Sequence, residues 1–212
     1  MISLTERDTE LLQILTHKVS LLTFEQIAEA FYSHTSDPIR QARKRLKKLI
    51  HAGYVEKHTM LAHPPLELTD PVYRHKPGDE KPDLGKIAYK ISQRWRKVLR
   101  PIDVAMATRQ SRRIFGGYTS QLRPRASERS HDLSLSQVFL HFRAQNDLGA
   151  KWQGEGELRA KGISAGTHIP DARLVGAAAD GSDVFIEFGG SYVKRKLGGI
   201  HEDLKDYYYE LW

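Results

Sequence analysis

Cysteine is absent from the 212-residue chain, which excludes disulfides and thiolate metal sites. Long apolar runs are also missing: no stretch approaches the roughly 20 residues that cross a bilayer. The opening segment, MISLTERDTELLQIL, lacks the basic-then-apolar pattern of a secretory leader. These absences lead us to expect a cytoplasmic chain with no membrane partner. The ten histidines include no pair at zinc-helix spacing with a convincing third ligand. No small-molecule site is evident.

What is present is enough apolar residue for a core, 40%, with 28% charged and a net charge of +7. The charge is uneven. Residues 1–130 hold 24 Lys and Arg against 14 Asp and Glu, a net of +10, whereas residues 131–212 hold 9 against 12, a net of −3. A basic part joined to an acidic part implies two modules, one of which meets a polyanion.

The first module, 1–78, reads as three helices and a hairpin. LTERDTELLQILTHK opens with Thr5 as N-cap, and Leu11, Leu12 and Leu15 fall on one face. In LLTFEQIAEAFYS, Thr23 caps a helix whose stripe is Phe24, Ile27, Ala28 and Phe31. In TSDPIRQARKRLKKLIHAGYVEK, Ser36 or Asp37 caps, Pro38 takes the first helical position and Gly53 ends the helix. Ile39, Ala42, Leu46, Leu49 and Ile50 make the buried stripe. Arg40, Arg43, Lys44, Lys47 and Lys48 lie opposite.

Two β-prone runs follow, in YVEKHTM and LELTDPVYRH. This order is that of a winged helix-turn-helix, in which the third helix enters the major groove of double-stranded DNA and the hairpin touches the backbone. Arg40, Arg43 and Lys44 are then expected near base edges or phosphates. Lys47, Lys48, Lys57 and Arg74 are expected nearer phosphates.

Residues 79–130 read as a basic connector. HKPGDEKPDLGK is a loop, rich in Pro, Gly and charge. KIAYKISQRWRKVLRP is an amphipathic basic helix with Ile87, Ile91, Trp95, Val98 and Leu99 on one face, suited to packing on the wing, to a homodimer contact or to bridging domains. QSRRIFGGYTSQLRPRASERS reads as a mobile or DNA-proximal connector.

The second module, 131–212, begins with a helix over HDLSLSQVFLHFRAQ whose core is Leu135, Val138, Phe139 and Phe142. In IPDARLVGAAADGSDVFIEFGG, Asp180-Gly181 marks a turn between two strands. That hairpin brings Asp171, near the start of one strand, toward Glu187, near the end of the next. Paired carboxylates suit a hard divalent ion such as Mg²⁺ or Mn²⁺, which activates water and neutralises a scissile phosphate.

IPD with Glu187 sixteen residues after Asp171 resembles the PD-(D/E)XK signature of restriction-endonuclease-like proteins. The resemblance implies that Asp171 and Glu187 are metal ligands, that Glu155 or Glu157 is a supporting acid, and that a lysine assists the attacking water. Residue 189, where that lysine would stand, is glycine; Lys194 and Lys196 are the substitutes. Over nearly the whole chain, the words HDL, WQGEGELR, IPDA and IEFGG after a winged helix resemble the replication-relaxation type proteins of plasmids and other bacterial mobile elements. That implies an α/β (α+β) architecture and duplex-DNA binding that regulates transcription or replication, with a nuclease-like second domain. The alternative is an active Mg²⁺-dependent DNA endonuclease, with Glu155, Asp171, Glu187 and Lys196 as catalytic residues.

Overall fold

The computed structural model describes residues 2–96, 98–119, 123–145 and 148–212. Helix α1 (Glu6–Gln13) starts at Thr5, whose hydroxyl accepts from the Asp8 N–H while the Asp8 carboxylate accepts from the Thr5 N–H. This reciprocal cap satisfies two donors that a helix start leaves bare. The helix runs into a π-helical turn, Ile14–Lys18. Strand β1 (Leu22–Thr23) leads into α2 (Phe24–Tyr32), capped by the same reciprocal device between Thr23 and Gln26.

Helix α3 (Pro38–His51) is capped by Asp37, with Pro38 in its first turn. Its chain reverses at Gly53, whose φ of +78° a side chain would strain. Strand β2 (Val55–Ala62) follows. The chain then departs from this group of elements. It forms the short β3 (Tyr73–His75), then α4 (Leu84–Ser92) continued by a 3₁₀ turn, Gln93–Arg96. It returns as β4 (Arg100–Ala107), which lies antiparallel between β1 and β2, giving the order β1-β4-β2.

Helix α5 (Arg109–Phe115), capped by Thr108, and the long α6 (Arg129–Arg143) come next. The remaining elements are α7 (Leu148–Lys151), β5 (Trp152–Gly154), α8 (Glu155–Ala160), β6 (Ala172–Leu174), β7 (Val184–Glu187), α9 (Lys194–Leu204) and β8 (Tyr208–Leu211). They build a second sheet in the order β3-β8-β7-β6-β5, antiparallel throughout except for the β7–β8 pair. The fold is mixed α+β. Among the described residues no helix is long and apolar enough to cross a membrane.

Two compact units result, and both are discontinuous. The first is residues 1–64 with 99–136; the second is 65–98 with 137–212. The linear division expected at 78 and 130 differs from this interleaving. The strand that partners β2 is RPIDVAMA at 100–107, not the LELTDPVYRH run, whose Tyr73–His75 pairs with β8 of the second unit. Strand pairing is non-local, so nearness along the chain does not choose the partner of β2.

The expected long basic helix stops at Ser92. Val98 and Leu99, expected on its buried face, are exposed, while Ile87 and Ile91 are buried. The stretch read as a connector contains α5 and the start of α6; its residues 120–122 lie outside the described ones.

In the first unit, Leu11, Leu12 and Leu15 of α1 and its turn, Ile27 of α2, and Leu46 and Leu49 of α3 are buried. Leu21, Met60, Val104, Met106 and Leu133 form a further apolar cluster with the sheet. In the second unit, Leu84, Ile87 and Ile91 of α4 pack with Leu197 and Leu211. Trp152 is fully buried, edge-on to Phe139.

Candidate functional site

Two constellations bear chemistry, one in each unit. In the first, α3 buries Ala42, Leu46 and Leu49 and leaves Arg40, Arg43, Lys44, Lys47 and Lys48 exposed. The 3.6-residue period alone divides the two faces. Arg43 lies 3.7 Å from Glu25, with both side chains about three-fifths exposed, a contact worth at most about 1 kcal/mol. Among the described residues no carboxylate pairs with Arg40, Lys44, Lys47 or Lys48.

Lys57 and Arg74 sit differently. On β2, Lys57 lies 2.7 Å from Asp103 and 5.6 Å from the centre of the Phe24 ring, so its charge is already met within the fold. Arg74 lies in the second unit on β3, bonded to Glu210 at 3.0 Å and Asp70 at 3.2 Å. It is not on the strand pair that follows α3.

The second constellation surrounds the β6–β7 hairpin. Ala172 faces Ile186, which brings Asp171 opposite Glu187. The Asp171 N–H donates to Glu187 Oε1 at 3.3 Å, and the Phe188 N–H donates to Asp171 Oδ2 at 2.8 Å. The Glu155 N–H donates to the Asp171 carbonyl at 2.8 Å, so the start of α8 is tied to the same strand end. The acids expected to assemble are thus neighbours along the backbone.

Their side chains are engaged by protein. His168 Nε2 lies 2.5 Å from Glu187 Oε1. The Glu155 carboxylate accepts from Arg159 Nε at 3.1 Å, one turn along α8. Glu157, the competing acid, pairs with Lys161 at 2.6 Å. Among the described residues, no group of three or more His, Asp or Glu is arranged to hold a metal ion.

Burial sets the electrostatics. Glu187 is 1% exposed. Burial, reinforced by the Asp171 charge and opposed by His168, pushes its carboxyl up to about 7. The hydrogen bond to Glu187 raises His168 above the ordinary imidazole value, against the pull of burial. The pair therefore shares a proton near neutrality. Burial also pushes the Tyr192 phenol up, helped by Asp171, Glu187 and Glu155, so Tyr192 stays protonated at any physiological pH.

Lys196 Nζ stands 3.5 Å from the centre of the Tyr192 ring, a cation–π contact. The Asp83 carboxyl is held down first by the Lys86 N–H and further by Lys194, at the start of α9. A Cβ at Gly189 would lie 2.5 Å from Ile91 Cδ1 and 3.3 Å from the Trp212 carbonyl, so a side chain there requires Ile91 to shift.

Sequence reasoning missed His168 and Tyr192. His168 stands three residues before Asp171, in the word HIPD, and that adjacency was the available signal. His201 is buried and bonded to the Tyr209 hydroxyl at 2.9 Å, away from the acids' hydrogen bonds. No protein-family model matches this sequence, and no curated protein or solved structure matches it either.

Proposed function

We propose that the chain is a duplex-DNA-binding protein whose first unit acts as a winged helix-turn-helix. The observation that carries this reading is the α3 surface: five cations on one exposed face, four of them without a carboxylate partner among the described residues. Unmatched cations on the outside of a helix that is firmly packed on its other side suit the phosphates and base edges of a major groove. The helix order and the β1-β4-β2 sheet support the same reading, with β2 and β4 as the wing. The resemblance of the sequence words to replication-relaxation proteins extends the proposal to regulation of transcription or replication in a mobile element.

Binding to a labelled duplex, followed by anisotropy from 50 to 200 mM salt, tests it. Five neutralised phosphates give a loss of roughly 500-fold across that range. A flat response removes the reading. Arg43→Ala with Lys44→Ala should weaken binding at least tenfold with the fold intact; unchanged affinity would remove α3 as the contact.

A second reading, a Mg²⁺-dependent endonuclease, draws on the backbone linkage of Asp171, Glu187 and Glu155. Mg²⁺ or Mn²⁺ would have to displace His168 from Glu187 and be held by Asp171 and Glu187. We favour the binder because His168, the Phe188 N–H and Arg159 already engage the three acids and because residue 189 is glycine, closely packed by Ile91, and not lysine. Plasmid nicking by wild type with Mn²⁺, lost in Asp171→Ala/Glu187→Ala, would reverse that preference.

A further inference from the structure

Beside the α3 face is a recess of about 230 Å³ lined by Arg7, Tyr32, Gln41, Lys44, Arg45 and Lys48. Its charges are not equivalent. Arg45 donates from Nε to Asp8 Oδ1 at 2.8 Å, and its Nη2 also bonds Asp8, so this cation is spent inside the fold. Arg7 lies 4.6 Å above the Tyr32 ring, with His34 Nε2 at 3.5 Å from its Nη2. Neither Arg7, Lys44 nor Lys48 has a carboxylate partner among the described residues. Three uncompensated cations from two helices thus converge on one concavity. The Tyr32 ring forms part of its wall, and the Gln41 amide supplies a neutral donor.

We infer that this recess is an anion site that clamps one backbone phosphate of the bound duplex, flanking the groove that α3 enters. The inference rests on the DNA-binding reading. Lys44 and Lys48, together with Gln41, lie on the edge of α3 that turns toward α1, so a strand lying along α3 passes the mouth of the recess. Tyr32 is buried and its ring is already covered by Arg7, which leaves no free face to stack a base. The site therefore takes phosphate and not a nucleobase. It contributes affinity and register without sequence information. Arg7 is the informative residue, because it belongs to α1 and lies off the α3 face.

The test compares wild type with Arg7→Gln, Lys48→Gln and the double variant on two unrelated duplexes over a salt series. Each single change should weaken binding, and the double should lower the log–log salt slope by about one, the share of the single clamped phosphate, equally on both sequences. The double should also lose roughly tenfold or more in affinity at 150 mM salt. Arg7→Lys should recover part of the loss. Matching thermal midpoints identify variants that remain folded.

If the double variant binds like wild type while Arg43→Ala/Lys44→Ala weakens binding, the clamp is overturned and the DNA reading stands. If wild type binds no duplex, both fall. Calorimetric titration with pyrophosphate separates the sources. Pyrophosphate binding that the double variant loses, with duplex affinity unchanged, makes this a site for a free phosphate compound and overturns the backbone assignment.

Discussion

At Gly189 the absence of a side chain is a packing requirement. Ile91 of α4 fills the space, and the Trp212 carbonyl lies 3.3 Å from where a Cβ would stand. Gly189→Ala should therefore cost about 1–3 kcal/mol by overpacking, read as a lowered denaturant midpoint. Gly189→Lys should cost more and create no nuclease; nicking activity in a folded Gly189→Lys protein would show that the site lacks only its lysine. The sequence displayed the glycine but not its cause. Ile91 lies 98 positions away, and only the fold brings it near.

His168 and Glu187, also at the residue scale, fix a pH dependence. Glu187 carries a carboxyl raised to about 7 from an ordinary value near 4.5, so the folded chain holds a proton there that the unfolded chain releases. Stability from that proton declines as pH rises through this interval. His168 is raised as well, so its contribution is complete below about 6.5 and is lost as pH passes its folded value. Both signs agree: the second unit should weaken steadily from about pH 5 to above pH 7. Denaturation midpoints at pH 5.5 and pH 8 check this, with Glu187→Gln flattening the profile. A wild-type profile that rises over the same window would show that the pair does not hold its proton in the fold.

At the scale of the element, local chemistry was highly legible. Thr5, Thr23 and Asp37 cap helix starts through hydrogen bonds within three residues of themselves, and Pro38 stands in the first turn of α3, where its missing N–H costs nothing. Gly53 ends α3 as its left-handed backbone requires. The division of α3 into Leu46 and Leu49 inside, with Lys44, Lys47 and Lys48 outside, followed from period alone. Ion pairing between elements was not legible. Asp8 is buried, 1% exposed, and burial pushes its carboxyl up; the bonds from Arg45 and Thr5 outweigh this and hold it below the usual range.

That pair joins α1 to α3 and aims the basic face. Asp8→Asn leaves the part-buried Arg45 without its counter-charge and should cost about 1–3 kcal/mol in urea unfolding. Removing both partners as Asp8→Asn/Arg45→Leu should cost less, because no part-buried cation is left unpaired. Equal losses in the two would mean that the capping bonds to Thr5, and not the ion pair, hold these helices together.

For the whole molecule, the interleaved topology decides what can be separated. The first unit needs β4, which arrives only after the chain has built β3 and α4 of the second. No domain boundary near 78 was therefore available to be read. A basic Pro/Gly-rich run marks a departure from one unit as readily as the end of a domain, and only pairing of 55–62 with 100–107 distinguishes the two. Fragment 1–78 lacks the central strand of its sheet and should be unfolded by circular dichroism and amide exchange.

The register points to a better cut. Ala62 faces Arg100, so residues 63–99 leave and return at adjacent positions. Replacing them by an Asn-Gly turn, with the chain ended at Arg143 so that Leu133 stays in the core, closes β2 and β4 into a simple hairpin. This shortened protein should fold cooperatively and retain the salt-sensitive duplex binding assigned to α3. It lacks Asp171, Glu187, β3 and α4 altogether. If it folds but no longer binds, the second unit contributes to DNA affinity directly, and its own cations, Arg74 on β3 among them, return as candidates for contact.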